Sequence, residues 1–88
     1  MNIYGDYKEP KHSYNICNEP DEDLFYKQCT ALEKNIPNLK KEDLLTDVDG
    51  GLTQLYSLDG KGISVHNSYY IGALYINSDI DLYQFFKK

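Results

Sequence analysis

Between residues 24 and 36 the apolar positions recur at helical spacing. Leu24, Phe25, Cys29, Leu32 and Ile36, joined by Gln28, form one stripe, and Lys27, Glu33 and Lys34 fall on the other side. The stretch ahead of it, Asn18-Glu19-Pro20-Asp21-Glu22-Asp23, has the character of a helix start. Asn or Glu suits the cap, Pro is tolerated in the first turn, and acids sit well at the positive end of the dipole. Asn35 and Pro37 end the pattern, so the spacing predicts an amphipathic helix over about 21–35.

From Leu44 onward the period changes to two, interrupted by glycine turns. Strands are expected over 44–48, 52–58, 63–67 and 69–76, separated by Asp49-Gly50-Gly51, by Asp59-Gly60-Lys61-Gly62 and by Asn67-Ser68. The last run is the richest in aromatic and β-branched residues. Leu52, Tyr56 and Leu58 share a face with Gln54, and Ile63 points with Val65. A further β-type run, 13–17, precedes the helix, with Tyr14 and Ile16 on one face. Residues 38–43 read as a polar connector and 1–13 as an extended or frayed start. Ser78-Asp79-Ile80-Asp81 resembles a capping box and predicts a short C-terminal helix packing Ile80, Leu82, Phe85 and Phe86. The expected fold is α+β: one amphipathic helix on an antiparallel β-meander of three to four strands. A sheet covered by a helix on one side leaves its other face open to solvent or a partner.

Length adds a bound. Eighty-eight residues hold one small core, so 1–88 is expected to be a single domain without a deep enclosed cleft. No 18-residue apolar stretch exists, so no membrane span is expected. The first twelve residues lack the basic and apolar regions of a signal peptide, which points to a cytoplasmic location. Cys17 and Cys29 are too few for a disulfide framework, and His12 and His66 lie far from any zinc-type pairing. They read as thiols of a reducing compartment, with a Cys17–Cys29 bridge left open.

Charge changes the picture more. The chain carries 14 acids against 9 basic residues, every one of them Lys, for a net charge of −5. Without Arg and with this sign, direct nucleic-acid binding is disfavoured, because phosphates need cations to replace their counterions. The excess is uneven. Residues 42–86 hold seven acids and the single Lys61, whereas 24–41 hold one acid and four lysines. The acidic segment also contains Tyr56, Tyr69, Tyr70, Tyr75 and Tyr83, among nine Tyr in all. That is more phenol than one core face can bury with its hydroxyls satisfied.

Candidate chemistry is sparse. Asp47-Val48-Asp49-Gly50 invites a calcium-loop reading, but with Gly50 at the sixth position the first and twelfth fall on Leu45 and Tyr56, which cannot ligate. A hairpin turn accounts for the run. A Ser–His–Asp set drawn from Ser64, His66 and an Asp has no supporting motif, and His66 reads as a surface or edge residue. No enzyme, cofactor or metal is expected. The composition favours a small acidic protein that binds and inhibits a basic protein partner, a toxin or a nuclease. It would act as an immunity protein or antitoxin, or as a nucleic-acid mimic of the anti-CRISPR or anti-restriction kind. Asp47, Asp49, Tyr56, Asp59, Tyr69, Tyr75, Asp79 and Asp81 are the candidate contact residues, Tyr as anchors and Asp as the acidic surround. The expected state is a monomer or weak homodimer. The alternative is a homo-oligomeric assembly domain with the Tyr-rich sheet as its interface. Solvated turns and cross-strand Tyr pairs would produce the same composition without any partner.

Overall fold

The computed structural model describes residues 11–86. Along the chain these form β1 (His12–Cys17), α1 (Glu22–Asn35), β2 (Lys40–Thr46), β3 (Leu52–Leu58), β4 (Lys61–Ser68), β5 (Ala73–Ser78) and α2 (Tyr83–Phe86). The five strands make one sheet in the order β1-β5-β4-β3-β2, each antiparallel to its neighbours. β1 and β2 therefore run in the same direction on opposite edges, and the β1–α1–β2 connection crosses the whole sheet. The sheet has one strand more than the meander expected from sequence, because 12–17 joins it beside β5. The strand starts at His12, one residue ahead of the β-type run expected from sequence.

α1 begins where Asp21 caps it, its carboxylate accepting from Leu24 N at 3.0 Å, with Glu22 and Asp23 in the first turn. It ends at Ile36, whose N–H still bonds to Leu32 O. The stripe read from sequence is the buried one: Phe25, Cys29, Leu32 and Ile36 pack on Leu52, Tyr56, Ile63, Val65, Leu74 and Ile76 from one sheet face. Cys17 and Cys29 are free thiols, and burial pushes the Cys29 thiol up. Leu82 closes the core, with Ile80 and Phe85 packed partly against it.

Two strand starts differ most from expectation, each by four residues. β2 starts at Lys40, inside the segment read as a connector. Every residue of β2 is exposed, and its register slips between Lys41 and Leu44, so no alternation marks it in the sequence. The buried Gln54 side chain mends that bulge, its Nε2 donating to Glu42 O at 2.9 Å and to Asp43 O at 3.3 Å. β5 starts at Ala73, since Tyr69–Gly72 is a loop. Gly72 N bonds to Ser68 O, Ile71 N bonds to Ser68 Oγ, and Gly72 takes φ 76°. Asn67, expected in a turn, is instead a buried strand residue whose Oδ1 receives Asp21 N at 2.9 Å.

The C-terminal segment is pinned by Tyr14. Its hydroxyl accepts from Leu82 N at 2.9 Å and donates to Asp81 Oδ1 at 3.3 Å, and its ring meets Tyr83 edge to face. Ser78 is not a helix cap. Its Oγ accepts from Ile80 N and donates to Ile80 O, while Asp81 Oδ1 accepts from Tyr83 N. Phe86 ends α2, and its side chain lies outside the described set.

Candidate functional site

The sheet has two ends, and the expected contact residues divide between them. At one end lie the β2–β3 turn, the β4–β5 loop and the start of α1. Asp47 N bonds to Gly51 O, Gly50 N bonds to Asp47 O, and Asp49 Oδ1 accepts from Gly51 N at 3.0 Å. Gly51 is closely surrounded: a Cβ there would stand 3.1 Å from Asn67 O, 3.2 Å from Asp49 Oδ1 and 3.3 Å from Asp47 Oδ2. Both carboxylates therefore converge over the same glycine. The Tyr69 ring lies beside the neighbouring Gly50, whose Cβ would meet it at 3.9 Å.

Asp47, Asp49 and Tyr69 are thus brought together. Beside them the structure adds Val48, Tyr70 and Ile71, which sequence reading did not select. Val48 and Tyr70 stand almost wholly in solvent, at 110% and 93% exposure, and Tyr69 and Ile71 are at least half exposed. Large apolar side chains held this far out of a core are the informative exception on a small protein. The start of α1 contributes Asp21, Glu22 and Asp23 to the same end, preceded by Glu19. Among the described lysines, Lys11, Lys34, Lys40, Lys41 and Lys61 belong to segments at the opposite end, and Lys27 lies partway along α1. Among the described residues the tip is acidic without a compensating cation of its own.

Asp59, Asp79 and Asp81 belong to the far end, about 20 Å away by the length of β4. There Asp79 Oδ2 accepts from Gly62 N at 3.3 Å, and Asp59 occupies the β3–β4 turn with φ 52°. They stand apart from Asp47, Asp49 and Tyr69, at the opposite end of the sheet. Tyr56 is a correction. It lies on the helix-covered face with 2% exposure, donating to Glu33 Oε2 at 2.6 Å and to Cys29 O at 3.4 Å. Burial raises its hydroxyl pKa well above the ordinary phenol value, so it is a core group rather than a surface anchor. Its alternation with Gln54 and Leu52 already placed it on that face.

Tyr75 lies on the open face, stacked on His66 at 4.7 Å with the rings 11° from parallel. His66 is correspondingly not an edge residue: β4 is the central strand and the ring is half-buried. Its Nε2 shares a 2.7 Å hydrogen bond with Ser64 Oγ and its Nδ1 a 3.3 Å one with Thr53 Oγ1. Burial lowers its pKa, with Asp47 opposing the shift. The Ser64–His66 distance is that of a nucleophile and base. Residues i and i+2 of a strand meet this way on geometry alone, however, and Ser64 lies mid-strand between two paired neighbours. The backbone on both sides of Ser64 is paired into the sheet. Among the described residues no three His, Cys, Asp or Glu side chains converge as a metal site, and no helix is long and apolar enough to cross a membrane.

Comparison of the chain with protein-family models, with curated proteins and with solved structures gave no match, so the tip and the open face stand on their own chemistry.

Proposed function

We propose that this protein is a non-enzymatic binder that docks on a basic protein and blocks it, in the manner of an immunity protein, an antitoxin or a nuclease inhibitor. The supporting observation is the tip: Val48, Tyr69, Tyr70 and Ile71 project into solvent beside Asp47 and Asp49, at the end where α1 adds its own acids. Acidic charge steers a basic partner inward, and exposed aromatic and branched side chains supply the area buried on contact. A nucleic-acid mimic is the variant in which carboxylates stand where phosphates would.

The test uses a basic partner recovered on immobilised protein and then purified. Its association rate should fall steeply with added salt. Replacing Tyr70 and Ile71 together by Ala should weaken binding by about thirtyfold, the scale of a hot spot. A salt-insensitive association, or a double variant that binds as the parent does, rejects the proposal.

One observation favours the homo-oligomer instead: Leu44 and Leu45 are half exposed on β2, an edge strand. The bulge and the run Lys40-Lys41-Glu42-Asp43 on that strand work against edge-to-edge pairing. A dimer mass at micromolar concentration, lost on Leu45→Lys, would favour this second reading.

A further inference from the structure

Opposite α1, the sheet surface falls away from the stacked His66–Tyr75 pair toward the end remote from the tip. The next cross-strand row is Leu55, Ser64 and Asn77, and the one beyond it is Ser57 and Gly62. Side chains shrink along this path to hydroxyls and, at Gly62, to none, so the face sinks into a groove of about 510 Å³. Carboxylates stand on both sides of it: Glu42 and Asp43 from the β2 bulge, Asp79 from the end of β5.

Glu42 and Asp79 are each anchored through one oxygen. Glu42 Oε2 accepts from Ser57 Oγ at 2.8 Å, and Asp79 Oδ2 accepts from Gly62 N at 3.3 Å. Among the described residues their second oxygens carry no hydrogen bond, and no cation lines the groove. Lys40 stands at the rim, its Nζ 4.0 Å from Glu42 Oε2, but that side chain is 74% exposed and water screens it.

We infer that this groove docks an extended basic segment of the partner protein, with cations about four residues apart reaching Glu42–Asp43 on one wall and Asp79 on the other. The dimensions fit. β2 and β5 are three strand spacings apart, about 14 Å, and an extended chain covers about 13 Å from one residue to the fourth beyond it. A single bound cation spans only one wall. On the floor Asn77 Oδ1 accepts from Ser13 Oγ, which leaves the amide N–H groups to meet a peptide carbonyl between the two cations. Ser57 Oγ, which donates to Glu42, can still accept from a peptide N–H. The inference rests on the reading of a basic partner, and it adds a second contact on a different surface.

The probe is the capped pentapeptide acetyl-RGSGR-amide, followed by the amide resonances of the full chain. Saturable shifts are expected at Ser57, Gly62, Ser64 and Asn77, and none with acetyl-EGSGE-amide. Glu42→Gln and Asp79→Asn should each weaken the peptide by about threefold, and Lys40→Gln should tighten it by less. Shifts confined to 47–51 and 69–71, or groove shifts untouched by both variants, overturn the inference. The two readings fail separately. A tip-dependent partner with an unresponsive groove removes only this inference, whereas a responsive groove without any tip-dependent partner removes only the docking role of the tip.

Discussion

On the face beneath α1, β3 to β5 present Leu52, Tyr56, Ile63, Val65, Leu74 and Ile76. One residue along on the same strands, the open face presents Thr53, Ser57, Ser64, His66, Tyr75 and Asn77. The backbone is common to both, so the difference isolates what burial demands. Under the helix a polar group is kept where it has structural work: Gln54 closes the bulge, Tyr56 ties β3 to Glu33 and Cys29, and Ser78 turns the chain through Ile80. Asn67 binds Asp21 N through its oxygen, while its Nδ2 finds no hydrogen-bond partner among the described residues. On the open face the polar groups bond to one another, Ser64 and Thr53 to His66, Ser57 to Glu42 and Ser13 to Asn77, without closing a bulge or tying the helix to the sheet.

The largest contrast between the faces should come from truncation. Phe25→Ala empties a fully buried site and should cost about 3–5 kcal/mol in a denaturant titration. Ser64→Ala, on the open face, should stay within about 0.5 kcal/mol. Equal losses would break the comparison. Gln54→Leu sharpens it, because the buried shape is kept while the bulge carbonyls lose their donor. A loss of about 1–3 kcal/mol is expected, with faster amide exchange along β2. An unchanged exchange pattern would mean that water replaces the side chain at no cost.

A smaller effect is expected from His66. Its folded-state pKa lies below the ordinary imidazole value of 6.5 because the ring is partly buried. As the pH falls through that value the unfolded chain takes up the proton first, so stability declines until the folded ring also titrates. Melting curves from about pH 7.5 to about pH 5.5 should therefore drop further for the parent than for His66→Asn. Parallel curves would mean that the stack on Tyr75 and the bonds to Ser64 and Thr53 accommodate the imidazolium equally well.

The covered face was legible in the sequence because burial leaves a period: 3.6 along α1 and two along β3 and β4. Lys40–Thr46 escaped because an edge strand exposed throughout, with a bulge, has no period to leave. Tyr69–Gly72 was read as strand because its residue types favour one. What makes it a loop is the turn closed on Ser68 and Gly72. The same cause hid the tip. Asp47 and Asp49 were visible as acids, but Val48, Tyr70 and Ile71 look like core residues until the chain is seen to turn there. Charge counted along the sequence suggested an acidic sheet and a basic helix. Strand order redistributes it, joining the acids of the α1 start to the β2–β3 turn and collecting most described lysines at the other end.

β1 lies beside β5, with His12 paired to Ser78. The described chain therefore enters and leaves the sheet at the same end, and the tip is at the other. A tether before His12 or after α2 holds the molecule by its back. A sensor surface, a fusion partner or an affinity resin attached on either side presents Tyr70 and its neighbours outward, so immobilised protein can report on the proposed contact without masking it.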